Sequence, residues 1–123
     1  MHPYLVDQRL RKEERLLVGA QFEAVFETRQ SAGNRVVVLH WRDNGLGYPR
    51  LGLVVSRKFG NAVARNRFKR RVRELFRRNK PLCGSRDVVV LPSKRPEAAK
   101  ASLGELAESL LKLLAKAAET TNA

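Results

Sequence analysis

The stretch from Arg57 to Arg78, RKFGNAVARNRFKRRVRELFRR, decides how this chain folds. Its apolar residues recur at the spacing of one helical face. They are Phe68, Val72, Leu75 and Phe76. This periodicity predicts a helix over residues 63–78 that packs on a core through a single stripe and turns its other sides toward solvent.

The same predicted helix carries a large excess of positive charge. From Arg65 to Arg78, eight residues are basic and only Glu74 is acidic. A solvated helix normally includes enough acids to form i,i+4 ion pairs with its bases. Because one acid cannot neutralise eight bases, the charge must be balanced by a partner, and we expect that partner to supply phosphate groups.

The charge of the whole chain is concentrated in its centre. The chain has 123 residues, 43% of them hydrophobic, and a net charge of +13, which suits one domain with its own core. Residues 32–96 hold seventeen bases against three acids. Such a field attracts polyanions. Nucleic acid is the favoured partner, ahead of an anionic membrane surface.

Cysteine usage and hydropathy indicate the compartment. Cys83 is the single cysteine, so no disulfide forms within the chain, which suits a reducing cytosol. We interpret it as an incidental thiol in a loop. No apolar run approaches the roughly 18 residues of a membrane span, and the N-terminus lacks the apolar segment of a secretory signal. We expect a cytoplasmic protein.

The remaining segments predict an α+β fold. A short helix over residues 19–29 presents Phe22, Val25 and Phe26, and a C-terminal helix opens with a capping box of Ser102 and Glu105. The predicted strands are 35–41, 51–56 and 87–92, the first two forming an antiparallel hairpin. Three helices should cover one face of this small sheet. Residues 1–8 are expected to be a flexible extension and 119–123 a frayed tail of a single domain, 1–123.

Catalytic groups are scarce. The histidines are His2 and His40, and no pattern of histidine, cysteine and carboxylates suggests a nucleophile or a metal site. We therefore expect no hydrolytic site on the protein. Some residues allow two interpretations: Phe22 and Phe26 could pack or stack on bases, and Trp41 is more typical of a core. Asn61 and Asn66 suit either helix capping or an amide contact with a ligand.

The run RNRFKRRVRE, residues 65–74, resembles the protein subunit of bacterial ribonuclease P. That family is marked by arginine-asparagine-arginine, two residues, lysine-arginine, two residues and arginine. The segments RLLVGAQFEAVF, LGLVVSRKFGNAVA and DVVVLP are also similar to the family and occur in its order. The resemblance covers roughly residues 9–118.

The resemblance implies an α/β sandwich similar to the second domain of a small-subunit ribosomal protein, with a left-handed βαβ crossover that holds the basic helix. It implies an accessory subunit that binds a large catalytic RNA and the 5′ leader of precursor tRNA, and assists removal of that leader. The catalytic centre would lie in the RNA. Mg²⁺ or a similar ion would serve the complex without being bound by the protein, and neither a membrane nor a protein partner would be required.

The resemblance also assigns residues to RNA. Those expected to meet the catalytic RNA are Arg57, Lys58, Asn61, Arg65, Asn66, Arg67, Lys69, Arg70 and Arg73. Those expected to line the leader cleft are Phe22, Phe26 and His40. Two other classes stay open: a stand-alone RNA-binding or ribosome-associated protein, and a module whose basic amphipathic helix binds membranes or acidic proteins.

Overall fold

The computed structural model describes residues 10–121, the last two by backbone alone. Within this range five helices and four strands follow one another along the chain. They are α1 (Gly19–Glu27), β1 (Ser31–Gly33), β2 (Val37–Asp43), β3 (Arg50–Leu53), α2 (Ala62–Arg78), α3 (Lys80–Cys83), β4 (Arg86–Pro92), α4 (Pro96–Lys100) and α5 (Leu103–Thr121). Single 3₁₀ turns occur at Lys12–Glu14 and Arg57–Phe59.

The strands form one sheet in the order β1-β2-β4-β3. β4 lies between β2 and β3, antiparallel to the first and parallel to the second. The predicted hairpin of β2 with β3 is therefore wrong. Residues Asp87 to Val90 of β4 are buried on both faces of the sheet. A strand that is apolar on both faces is most stable in the middle of a sheet, where β2 and β3 also pair with its two edges.

The hairpin that does form joins β2 to β1, a three-residue strand that the sequence did not predict. Its turn is held by Asn34, whose side-chain oxygen accepts hydrogen bonds from the backbone N–H groups of Val36 and Val37, both at 3.0 Å. Ser31–Gly33 contains no β-branched or aromatic residue, which is why strand propensity gave no signal there.

One face of the sheet carries the main core. α2 and α5 pack there, and the predicted stripe of α2 points inward, with Leu75 half-buried and the other three residues buried. The sheet contributes Val37, Leu39, Trp41, Leu51, Val88 and Val90, and α5 contributes Leu106, Leu110, Leu113 and Leu114. Trp41 is buried here, which confirms its interpretation as a packing residue.

The other face carries α1. Val25 of α1 and Leu16, just before it, pack with Val89 of β4 in a second, smaller cluster, and Phe22 lies against that cluster. The expectation that helices cover only one face is wrong. α1 is only nine residues long, so it covers part of this second face and leaves the rest of it accessible.

The strand directions confirm a mainly antiparallel α+β sheet and a β3-α2-β4 unit with parallel strands. The handedness of that crossover and the likeness to a ribosomal protein domain stay predictions, as does the assignment of residues 1–123 to one domain. None of the helices in residues 10–121 is both long and apolar enough to span a membrane.

Helix ends follow the local sequence. At the start of α5, the Glu105 backbone N–H donates to Ser102 Oγ at 3.1 Å and the Ser102 N–H donates to Glu105 Oε1 at 3.2 Å, which confirms the capping box. α5 continues to Thr121, into the stretch expected to fray, and fraying of this end stays a prediction. The predicted extension of residues 1–8 lies outside the described residues.

Cys83 ends the short helix α3 and does not lie in a loop. Its thiol is buried in the main core, and burial raises its pKa to about 12. A thiol with such a pKa stays protonated and is a poor nucleophile at neutral pH. Cys83 therefore acts as a small packing residue.

Candidate nucleic-acid interface

The N-terminus of α2 is fixed by two polar contacts. Asn61 is the N-cap, and its side-chain oxygen accepts a hydrogen bond from the Ala64 N–H at 2.9 Å. One turn later, Arg65 Nη1 donates to the Gly60 carbonyl at 2.8 Å. These contacts confirm the capping role of Asn61 and hold the Arg65 side chain against the preceding turn. Asn66 is exposed in the first turns of the helix and caps neither end.

The one acid of α2 is committed to the C-terminal end of the helix. Glu74 pairs with Arg77 and, at 3.0 Å, with Arg78. The hydrogen bond from Arg77 holds the pKa of the Glu74 carboxyl below its usual value, so this acid is ionised at neutral pH. Within residues 10–121, Glu74 therefore forms no ion pair with the basic residues nearer the N-terminus of α2.

All seven of the predicted RNA-binding cations lack an acidic partner among the described residues. In the part of the chain that the structure describes, no carboxylate lies within 4.0 Å of their charged nitrogens. These cations are Arg57, Lys58, Arg65, Arg67, Lys69, Arg70 and Arg73. The sequence did not predict that Lys69 would be half-buried, where it lines a groove beside the N-terminal segment.

A cleft lies on the sheet face that α1 partly covers. The ring of Phe22 rests directly on the backbone of β3 at Gly52, where a Cβ atom would stand 2.6 Å from Phe22 Cε1. Any larger residue would push the ring away from the sheet. The absence of a side chain at Gly52 therefore allows Phe22 to pack against β3. The sequence signal for this contact is a glycine that interrupts the apolar run LGLVV.

Phe26 forms the rim of the cleft. Its side chain keeps 37% of its surface exposed and meets the His40 ring edge to face, with centroids 4.9 Å apart and planes at 80°. Partial burial lowers the pKa of His40, which favours the neutral ring. The structure thus brings all three predicted cleft residues onto one face of the sheet. Phe22 packs against the buried cluster beneath the cleft, and Phe26 and His40 lie at its surface.

The floor of the cleft continues along the same sheet face through residues that the sequence did not single out. Val38 is paired with Leu91, one row beyond the pair of His40 with Val89. Val54 follows β3, and its N–H donates to the Val90 carbonyl at 3.2 Å. Val38 and Leu91 are half-buried and Val54 is exposed, so this row offers an apolar surface to a ligand.

A charged cluster closes the opposite end of the same face. The fully buried carboxylate of Asp87 accepts from Arg50 Nε at 2.7 Å, Arg42 Nε at 3.1 Å and Asn44 Nδ2 at 3.0 Å. Burial by itself raises the pKa of Asp87, but the hydrogen bonds it accepts outweigh burial, and the net pKa lies below the usual value. Asp87 thereby joins β2, β3 and β4, and the cluster keeps one net positive charge.

The two candidate surfaces lie on opposite faces of the sheet. α2 covers the face of Leu51 and Val90, whereas the cleft occupies the face of Gly52 and Val89. The β3 edge separates them, because β3 is the outermost strand on the side nearest α2. A ligand that touches both surfaces has to pass around this edge.

Among residues 10–121, the side chains that could bind a metal ion do not form a cluster. Nowhere in residues 10–121 do three or more histidine, cysteine, aspartate or glutamate side chains come together in a way that could hold a metal ion. His40 stands against Phe26, and Glu14 and Asp87 are each taken up by basic side chains.

A protein-family comparison identifies the relatives of this chain. The family model described as Ribonuclease P matches residues 10–118. The chain belongs to the ribonuclease P protein family. The ribonuclease P protein component of Thermotoga maritima is 43% identical over 106 residues, which cover 84% of this chain and 91% of that protein.

Solved structures of ribonuclease P proteins share the fold. The Thermotoga maritima protein matches with a TM-score of 0.76 and 42% identity over 84% of this chain and 96% of that chain. The Staphylococcus aureus protein matches with a TM-score of 0.77 and 32% identity over 85% and 94%. Proteins of this family are components of a ribonuclease complex whose role is processing of the tRNA 5′ end.

Proposed function

We propose that this chain is the accessory protein subunit of a ribonuclease P ribonucleoprotein. It binds the catalytic RNA through the basic residues of α2 from Arg65 to Arg73 and through the turn before α2, and it binds the 5′ leader of precursor tRNA in the cleft beside α1. The observation that carries the proposal is the set of unpaired cations on α2 standing across the β3 edge from a partly exposed aromatic cleft.

The cations suit the phosphate backbone of a folded RNA. Arg67, Arg70 and Arg73 are exposed on a helix whose apolar side is anchored in the core. Because the helix already fixes the backbone of these arginines, binding phosphate costs only side-chain freedom, and each guanidinium can form two parallel hydrogen bonds to a phosphate. Arg57 and Lys58 add charge on the 3₁₀ turn before α2, where the positive end of the helix dipole also favours anions.

The cleft suits a single strand. Phe26 offers a partly exposed ring, and the row of Val38, Leu91 and Val54 offers apolar contact beside it. Bases stack on aromatic side chains in a manner that tolerates any sequence. Because mature tRNA lacks the leader, contacts confined to this cleft would favour the precursor over the product.

The described residues do not fit a divalent ion, so we place Mg²⁺ or a similar ion with the RNA. The protein would act by reducing repulsion between RNA segments and by holding the leader in place. We also place the complex in the cytoplasm, without a membrane or a further protein.

The function is tested by reconstitution. We expect the chain, mixed with a bacterial ribonuclease P RNA and labelled precursor tRNA at low Mg²⁺, to stimulate one cut at the junction of leader and tRNA. The chain alone should bind RNA and cut nothing, since no three metal-ligating side chains come together within residues 10–121. Cleavage at that junction by RNA-free protein would contradict the proposal, and so would a failure to stimulate any candidate RNA.

Replacement of Phe26 by alanine tests the cleft. We expect the assembled complex to lose about 1–3 kcal/mol of affinity for precursor tRNA, up to about a hundredfold, because one base loses its stacking partner. Affinity for mature tRNA should stay unchanged. Phe26→Leu is the matched control, since it keeps an apolar side chain without the ring. Equal losses for both RNAs, with a lower melting temperature, would instead identify Phe26 as a packing residue.

A further inference from the structure

A second cationic feature lies at the β3 edge and includes Arg15, which lies outside the basic run of residues 65–74. A groove of about 130 Å³ runs there between the N-terminal segment and α2. Leu51 and Leu53 of β3 form its apolar floor, and Leu17 forms part of its wall. Three basic side chains also line it: Arg15 from the N-terminal segment, and Lys69 and Arg73 from α2.

The backbone of Arg15 is held firmly in place. Arg15 forms a parallel β-bridge with Leu51, and the next N–H, that of Leu16, donates to the Leu51 carbonyl at 2.8 Å. On its other side, the buried Glu14 carboxylate pairs with the buried Lys80 ammonium at 2.9 Å. Arg15 therefore sits between two anchored neighbours, although its own side chain is exposed.

The direction of the Arg15 side chain follows from this extended geometry. Its φ and ψ are −116° and 138°, so it and Leu16 point to opposite sides of the segment. Leu16 is buried with Phe22 and Val89 on the cleft face. Arg15 consequently faces the α2 side, where Lys69 and Arg73 line the same groove.

The groove is unbalanced in charge. In residues 10–121, no carboxylate lies within 4.0 Å of the charged nitrogens of Arg15, Lys69 or Arg73. The nearby Glu14 is neutralised by Lys80, and Glu13 lines a different cavity beside Tyr48 and Pro49. Three cations from two distant parts of the chain line this groove without an acidic partner, so its potential is positive and favours an anion.

We propose that Arg15 is a further RNA-binding residue and that, with Lys69 and Arg73, it holds an RNA phosphate at the β3 edge. This inference rests on the proposed function and extends it, because the groove lies where a ligand must pass between the cleft and α2. The phosphate belongs to either the leader or the catalytic RNA. In both cases the chemistry is the same: a phosphodiester held by two guanidinium groups and an ammonium.

The test is Arg15→Ala, with Arg35→Ala as the charge-matched control. Arg35 is an exposed arginine in the turn between β1 and β2, at the other edge of the sheet. Binding is measured against salt concentration for three pairs: protein with catalytic RNA, complex with precursor tRNA, and complex with mature tRNA. Loss of one phosphate contact reduces the magnitude of the slope of log K against log salt by about 0.7–0.9.

We expect that reduction for Arg15→Ala, together with a loss of affinity of roughly fivefold to twentyfold at low salt, and a largely restored slope for Arg15→Lys. A change confined to precursor tRNA assigns the phosphate to the leader, and a change with catalytic RNA alone assigns it to the RNA subunit. Equal slopes for Arg15→Ala and Arg35→Ala with all three RNAs would overturn the inference. The proposed function is judged separately, by whether the unsubstituted protein stimulates cleavage.

Discussion

Replacement of Arg67, Arg70 and Arg73 together by alanine should weaken binding of catalytic RNA by about a hundredfold at low salt. Each exposed arginine contributes roughly 1 kcal/mol through charge-assisted hydrogen bonds to phosphate, and about 1.4 kcal/mol corresponds to a factor of ten in affinity. The magnitude of the salt slope should fall by about two to three. The measurement is a binding titration at several salt concentrations.

The control for this variant removes the same charge from another surface. Arg35, Lys112 and Lys116 replaced together by alanine lower the net charge by three near the β1–β2 turn and on α5. If the net positive charge of the protein attracted the RNA without a defined contact surface, the two variants would lose the same amount of affinity for catalytic RNA. If α2 is the contact surface, the control keeps most of the slope. Both proteins should unfold at nearly the same temperature as the parent, because none of the six side chains belongs to the core.

Phe68→Ala should cost about 3–5 kcal/mol of the free energy of unfolding, the usual range for a buried phenylalanine. Phe68 is buried on the stripe of α2, and its ring meets Phe59 of the preceding turn with centroids 5.3 Å apart. The substitution opens a cavity between α2 and the sheet and removes the contact that holds the turn carrying Arg57 and Lys58. Denaturant titration with an optical signal measures the loss.

Val63→Ala is the matched control for Phe68→Ala, because Val63 lies on the same helix with 65% of its surface exposed. It should change the free energy of unfolding by less than about 0.5 kcal/mol. If the two variants unfolded at the same denaturant concentration, Phe68 would not be an anchor of α2. A stable Phe68→Ala protein that had lost RNA affinity would instead point to a direct contact between that ring and RNA.

The helices could be predicted from the sequence because their signals are local. The stripe of α2 and the capping box of α5 depend on residues within a few turns of one another, and both are confirmed. Strand pairing depends on contacts distant in sequence. The turn at Asn44 and Gly45 therefore suggested a β2–β3 hairpin, although the strongly apolar β4, more than thirty residues later, takes the place between them.

The candidate site also has one part that could be predicted from local sequence and another part that could not. The cations of α2 could be predicted because charge excess is visible in the sequence itself. The cleft required three-dimensional information: the glycine at position 52 signals a close approach to β3, but nothing in the sequence indicates that the approaching ring is Phe22, or that Phe26 meets His40. Arg15 was overlooked because it lies in a mixed run of acids and bases, RKEER, and acquires its basic neighbours only when the segment pairs with the β3 edge.

The central position of β4 also sets the order in which the chain can mature during its synthesis. β2 and β3 are not paired with each other. β2 has an early partner in β1, but its other edge and the inner edge of β3 are paired only by residues 86–92. A nascent chain that has emerged up to the end of α2 therefore exposes two unpaired strand edges, along with a helix whose apolar stripe has no complete sheet to cover. Assembly of the sheet waits for the last third of the polypeptide, so the folding of this small protein is dominated by late, long-range contacts.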